Sequence, residues 1–191
     1  ITTLDYKIGL NAASTAANTV VEGDINFTIT GGAGADTITA GGGADIITGG
    51  LGIDTITGGA GADDITGGGA ADVFTFTTGD TLLTLATADT VRDFATASDS
   101  FATYLTGAAE GVIANGGSVG TFAAFVALAD GVFTAGVGSN DGIYISYNAV
   151  ASGHAYVAID EDDSGTFDAG DTLLVLTGIN LSSEIAVTDF V

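Results

Sequence analysis

The chain has no cysteine, proline, methionine or tryptophan, a single histidine, and two basic residues, Lys7 and Arg92, among 191. Without cysteine there is no disulfide and no thiolate metal site. The lone His154 has no second imidazole and no HExxH pattern around it, so neither a zinc centre nor a histidine-based catalytic pair is expected. No GxSxG elbow and no phosphate-binding loop occurs. Two cations against 24 acids give a formal charge of −22, which excludes electrostatic binding to a nucleic-acid backbone or an anionic membrane. No apolar run reaches the roughly 18 residues of a transmembrane helix. The opening "ITTLDYKIGL" lacks the basic region and long apolar stretch of a signal peptide. A chain that does not begin with Met reads as a processed protein or a piece of a longer one, with room for a catalytic domain upstream.

What is present is glycine, carboxylate and apolar residue in register. A hydrophobic content of 46%, a mean hydropathy of +0.49 and 31 glycines argue against the disorder that one-sided charge otherwise brings. The length suits one domain or two small ones. From residue 31 to 75 the chain reads GGAGADTIT AGGGADIIT GGLGIDTIT GGAGADDIT GGGAADVFT. Each unit of nine carries an aspartate at its sixth place and an apolar residue at its eighth (Ile38, Ile47, Ile56, Ile65, Phe74). A period of nine has no 3.6-residue component, so the unit reads as a six-residue turn and a three-residue strand. Glycines allow the positive φ of the turn, and "TIT" and "IIT" suit a strand whose middle side chain faces a core. Thr37, Thr39, Thr55 and Thr57 then face water. Two units make one coil, with rungs stacked at roughly 4.8 Å. Asp36 falls beside Asp54 and Asp72 on one edge, and Asp45 beside Asp63 on the other.

Stacked carboxylates repel by on the order of 3 kcal/mol at about 5 Å and an effective dielectric near 20. A hard divalent cation reverses that sign. Calcium accepts six to eight or so oxygens, backbone carbonyls included, in a flexible geometry, whereas magnesium keeps its waters and zinc prefers His or Cys. Several Ca2+ ions are therefore the expected cofactor.

The nonapeptide GGxGxDxUx resembles that of the RTX calcium-binding proteins. Residues 31–39, 49–57 and 58–66 fit it fully; 40–48 opens with Ala40, and 67–75 has Ala70 at its fourth place. Residues 13–30 read as degenerate coils, with Asn18, Val20 and Ile29 in phase and Phe27 where an aspartate belongs. The resemblance implies a parallel β-roll in which the first and third turn residues give carbonyls and the sixth gives a carboxylate, each ion shared between turns 18 residues apart. Carried over, the carbonyls are those of Gly31, Ala40, Gly49, Gly58 and Gly67, and of Ala33, Gly42, Leu51, Ala60 and Gly69. The carboxylates are Asp36, Asp45, Asp54, Asp63 and Asp72. Ions are expected between Asp36 and Asp54, Asp45 and Asp63, and Asp54 and Asp72. Asp64 is expected to point to solvent.

A second motif, "DEDDSGTFDAGD" at 160–171, places Asp160, Asp162, Ser164, Thr166, Asp168 and Asp171 at the ligand positions of a twelve-residue calcium loop, with Gly165 at its sharp turn. Its flanks alternate like strands. A strand–loop–strand calcium site and an acidic hairpin turn both fit. "ADTVRDFATASDSF" (88–101) resembles the segment that closes the roll in RTX proteins; Asp89, Asp93 and Asp99 either bind another ion or are exposed acids of a capping strand. Phe122, Phe125, Val126 and Ala129 recur at helical spacing between the cap Thr121 and the stop Gly131. Residues 142–148, 154–159 and 172–177 read as strands of a small sheet. The end, "SSEIAVTDFV", resembles the C-terminus of RTX proteins exported by type I secretion.

The expected fold is mainly all-β: an N-terminal segment with degenerate coils (1–30), a β-roll (31–79), and a small β-rich capping and secretion region with one helix (80–191). The expected function is not enzymatic. It is that of an extracellular calcium-binding structural module, folding outside the cell after export by type I machinery and self-assembling at the bacterial cell surface as a surface layer or filament. Two other functions stand beside it: the secretion and folding module of a larger RTX protease or lipase, and the terminal domain of a calcium-dependent adhesin.

Overall fold

Consecutive nine-residue units fall on alternate sides of a flattened coil of chain, so each side is a parallel sheet of every second unit. The computed structural model describes residues 6–9, 19–21, 23–76, 84, 86–102, 113–118, 121–134, 143–148, 154–160, 165–168, 171–177, 185 and 189–190. The strands are β1 (Tyr6–Gly9), β2 (Thr19–Val21), β3 (Phe27–Gly32), β4 (Thr37–Gly42), β5 (Ile46–Leu51), β6 (Thr55–Ala60), β7 (Asp64–Gly69), β8 (Val73–Thr75), β9 (Asp89–Val91), β10 (Ser100–Ala102), β11 (Ile113–Ser118), β12 (Ile143–Asn148), β13 (His154–Ile159) and β14 (Thr172–Thr177), with one helix, α1 (Phe122–Thr134). One sheet runs β10-β8-β6-β4-β2; the other runs β1-β3-β5-β7-β9-β14-β13-β12-β11.

The register is the one the repeat demands. Ile38 pairs with Ile56 and Ile56 with Phe74 on one side; Ile29 pairs with Ile47 and Ile47 with Ile65 on the other. All six are buried and meet in a single core. The degenerate coils continue the stack, since Val20 pairs with Ile38. β1 adds a rung the repeat does not announce, pairing Ile8 with Ile29. Thr37 and Thr55 are exposed, while Thr39 and Thr57 are half-buried.

Strands of six residues replace the expected three, because the ladder runs on through the first turn positions: Gly41 pairs with Gly59 and Gly42 with Ala60. Glycine makes this possible. Gly50 and Gly59 have φ of 122° and 97°, and a Cβ on either would collide with the carbonyl of the rung beneath, Gly32 O or Gly41 O.

The three C-terminal strands are not a separate small sheet. β12, β13 and β14 are antiparallel, and β14 then pairs in parallel with β9, which pairs with β7. The sheet is thus continuous from roll to C-terminal region. Inside this junction Phe94 stacks on Phe101 at 4.1 Å, and Phe101 also meets Phe74, Phe76 and Phe190. On the outer face α1 sets Phe125 against Tyr144, Tyr156 and Phe167. Thr121 caps the helix, its Oγ1 accepting the Ala124 N–H at 3.2 Å. Gly131 does not stop it; the helix continues to Thr134.

Ala70 stands at the fourth turn position with φ of 103°, where Gly43, Gly52 and Gly61 have φ of 124°, 118° and 142°. A side chain in that region costs about 1–3 kcal/mol of backbone strain, and Ala70 itself is exposed. Ala70→Gly should therefore stabilise the calcium-loaded protein by about 1 kcal/mol in denaturant titration; an unchanged or lower midpoint would contradict the strain.

Candidate metal centre

The five repeat aspartates lie inside the stack. Asp36, Asp45, Asp54, Asp63 and Asp72 are at most 2% exposed, a depth carboxylates reach only when paired or ligated. The adjacency along each edge is direct. The Asp36 N–H donates to Asp54 Oδ1 at 2.7 Å, the Asp54 N–H to Asp72 Oδ1 at 2.9 Å, and the Asp45 N–H to Asp63 Oδ1 at 2.8 Å. Phe27, in the aspartate position of a degenerate coil, gives its N–H to Asp45 Oδ1 at 2.7 Å. One oxygen of each upper aspartate is thus spent on the rung below.

The second oxygen is where a cation fits. Oδ2 of Asp45, Asp54 and Asp72 is buried with no hydrogen-bond partner. The first-position glycines keep space beside it: a Cβ on Gly49 would stand 2.7 Å from Gly67 O and closer still to Asp54 Oδ2, and one on Gly31 would stand 2.5 Å from both Asp36 Oδ2 and Gly49 O. A carboxylate oxygen from one rung and a carbonyl from the next therefore approach the same point. Among the described residues no three His, Cys, Asp or Glu side chains converge as a metal-binding group; the acids stand in rows, and the other oxygens available are carbonyls. That mixture suits a hard cation such as calcium.

The remaining expected ligands fall in varied settings. The carbonyls of Ala60 and Gly69 accept the N–H of Gly43 at 2.8 Å and of Gly52 at 3.1 Å, leaving each a second lone pair. Ala40 is buried in the hydrophobic core, Leu51 is 64% exposed, and Ala33, Gly42 and Gly58 lie along the same turns. Asp64 does not simply face solvent: Arg92 Nε and Nη2 both donate to its carboxylate, an exposed ion pair worth about 0–1 kcal/mol.

The acids of the closing segment are not exposed either. Asp89 and Asp99 are buried and extend the two rows, Asp89 Oδ1 accepting the Asp63 N–H at 2.8 Å and Asp99 Oδ1 the Asp72 N–H at 3.0 Å. Asp93 ends the ladder of β7 by accepting the N–H groups of Gly67 and Gly68 at 2.9 and 2.8 Å. The glycine turn is missing there, yet an apolar residue two places after the acid persists in Asp89-Thr90-Val91 and Asp99-Ser100-Phe101. That triplet is the signal by which the rows could be followed past the repeats.

In the 160–171 loop, which joins β13 to β14, Gly165 has φ of 72° and gives its N–H to Asp160 Oδ2 at 3.0 Å. The Asp168 N–H donates to Asp171 Oδ2 at 2.7 Å. Asp160 and Asp171 are buried, whereas Thr166 and Asp168 are exposed. Asp162 and Ser164 lie outside the described residues.

Burial raises the carboxyls of Asp45 and Asp54 above the usual carboxylate range. Asp72 is pushed up to about 6, mainly by burial, against the bond from the Asp54 amide and with the charges of Asp99, Asp54 and Asp93 adding to the rise.

Residues 28–56 and 48–83 match the family of the RTX calcium-binding nonapeptide repeat (4 copies), repeats that bind multiple Ca2+ ions. No curated protein matches the chain. Among solved structures, it is similar to the AlgE6R3 subunit of the mannuronan C5-epimerase of Azotobacter vinelandii, with 19% identity over 94% of this chain and 80% of that one and a TM-score of 0.48. The AlgE6R2 subunit of the same enzyme shows 21% identity over 94% of both chains, with a TM-score of 0.42.

Two outcomes follow from this geometry. Gly49→Ala should weaken calcium binding about tenfold in calorimetry, since the added methyl fills the space between Asp54 Oδ2 and Gly67 O at an overpacking cost of ~1–3 kcal/mol. Gly23→Ala, with nothing within 4 Å of the new Cβ, should leave it unchanged; equal effects would dispose of the cradle. In metal-free protein, an acid whose folded pKa is raised stabilises the fold below its unfolded pKa and loses that contribution as pH rises through the folded one. With Asp72 near 6, β-structure by circular dichroism in calcium-free buffer should increase from about pH 7.5 to about pH 5, and saturating calcium should flatten the dependence.

Proposed function

We propose that this chain is a secreted structural module that folds when it meets Ca2+ outside the cell and then associates with further copies at the cell surface, without enzymatic activity. The observation that supports it most is the pair of buried aspartate rows, whose Oδ2 atoms at Asp45, Asp54 and Asp72 have no protein partner. Ordering a nine-residue unit costs on the order of 10 kcal/mol in backbone entropy. The one apolar side chain buried per unit returns about 2–3 kcal/mol, so the cation decides whether the coil forms. Extracellular calcium modules bind at roughly 10⁻⁴–10⁻³ M, which matches a chain exported unfolded into a calcium-rich medium. The 160–171 loop is a second calcium site in this reading, separate from the roll.

Association is supported by charge and surface. At −22, metal-free copies repel one another, and bound calcium removes much of that charge. Among the described residues the nine-stranded sheet ends in β1 and β11, and the five-stranded sheet in β10 and β2, edges able to pair with another chain. Ile46, Leu51 and Ile53 are each more than half exposed on the roll. Lys7 and Arg92 are too few to build an interface from salt bridges.

In chelator, circular dichroism should lose its β-signal and recover it on adding Ca2+, and light scattering with negative-stain microscopy should show assemblies in calcium that disperse on chelation. A spectrum indifferent to chelator would sink the folding reading. A protein that folds on calcium yet stays monomeric at every concentration would favour the secretion module of a larger enzyme.

A further inference from the structure

The nonapeptides end at residue 75, but the hydrogen-bond pattern that marks a step between aspartates does not. Inside the roll every step is made of two bonds: the lower aspartate's N–H donates to the upper Oδ1, and the residue after the upper aspartate donates its N–H to the lower carbonyl. From Asp36 to Asp54 these are 2.7 and 2.8 Å, and from Asp54 to Asp72 they are 2.9 and 2.8 Å. The same pair joins Asp72 to Asp99, at 3.0 Å from the Asp72 N–H to Asp99 Oδ1 and 2.9 Å from the Ser100 N–H to Asp72 O. Here the separation is 27 residues rather than 18.

The orientation of Asp72 points the same way. Its Oδ1 faces down the stack and accepts the Asp54 N–H. Its Oδ2 has no hydrogen-bond partner, and the residue is 1% exposed. On the rungs below, Oδ2 of Asp36 and of Asp54 lies beside the first glycine of its own unit and the carbonyl of the unit above. Asp72 Oδ2 likewise lies beside the first glycine of its own unit, 2.6 Å from where a Cβ on Gly67 would sit, and the next atom around that point is Phe74 Cζ at 2.8 Å. Asp99, 7% exposed, is the next acid of the same row, with Oδ1 taking the Asp72 N–H and Oδ2 held by the Ala95 N–H at 2.9 Å. The aromatic pair Phe94 and Phe101 is stacked beside it at 4.1 Å.

We propose that the closing segment carries a divalent-cation site of its own, between Asp72 and Asp99, outside the nonapeptide repeats. It takes a hard cation such as Ca2+, with Asp72 Oδ2 and the Asp99 carboxylate supplying charge and carbonyls or water completing the shell. The site rests on the calcium reading of the roll, and it adds an ion that the repeat pattern alone does not count.

Native mass spectrometry of the full chain in saturating calcium tests it by counting ions on the folded charge states. Asp99→Asn keeps an acceptor for the Asp72 N–H and removes the charge; it should carry one ion fewer than the wild type. Asp64→Asn, whose carboxylate engages Arg92 on the outer face, should carry the full count. Equal counts for Asp99→Asn and wild type overturn the site while the roll's ions remain counted. A wild type with no ions overturns the calcium reading beneath it. Should Asp99→Asn not fold, Asp99→Glu keeps the charge and displaces it by a methylene. That variant should hold the full count at saturation and release one ion ahead of the rest when calcium is lowered; release indistinguishable from wild type overturns the proposal.

Discussion

A carboxylate buried between two rungs of a parallel stack has two oxygens, and in this fold the protein reliably satisfies one of them. The amide below takes Oδ1; for Asp45, Asp54 and Asp72 no protein group takes Oδ2. The rest of the roll is arranged around that imbalance. First-position glycines leave room beside Oδ2, and second-position glycines let the next backbone approach without collision. Without a cation the rows resist forming, because desolvation raises the carboxyls and neighbouring charges add to the rise at Asp72. With one, the repulsion becomes the attraction that holds rung to rung, and a stack with a single Ile or Phe per unit can order.

The roll differs at its C-terminal end, where calcium loops give way to conventional packing. Phe74, Phe76, Phe94, Phe101 and Phe190 form an aromatic cluster, and burying such side chains contributes about 1.5–3 kcal/mol each. β9 is the pivot, since it pairs with β7 of the roll and with β14 of the antiparallel strands. Asp93 closes the ladder with a side chain in place of another backbone, and Arg92 grips Asp64 across the same rung. One part of the protein is thus governed by ions and the other by apolar area, and they share a sheet.

Much of the roll was legible in advance. The period of nine, the glycines and the apolar eighth position each dictate a local conformation, and together they prescribe which aspartates become neighbours; Asp36, Asp54 and Asp72 stand in one row and Asp45 and Asp63 in the other. The strands run past the three residues that the spacing predicts, because glycine, which permits a turn, also lets the ladder continue, as where Gly41 pairs with Gly59. Gly131 does not end α1, because the packing of Phe125 and Ala129 outweighs the roughly 1 kcal/mol by which a glycine disfavours helix.

The sequence by itself determined the repeating unit, the side of the coil each residue occupies and the class of ion that could neutralise it, because those follow from spacing within nine or eighteen residues. Only the tertiary structure decided that Asp89 and Asp99 lengthen the rows, that Asp64 belongs to Arg92, and that the C-terminal strands continue the sheet of the roll. The three aspartate contacts span 26, 27 and 28 residues through a segment without the nine-residue period, and the C-terminal strands join through β14 and β9, where Leu174 pairs with Asp89. There no local pattern carries the register, and the packing of β9 against β7 sets it instead.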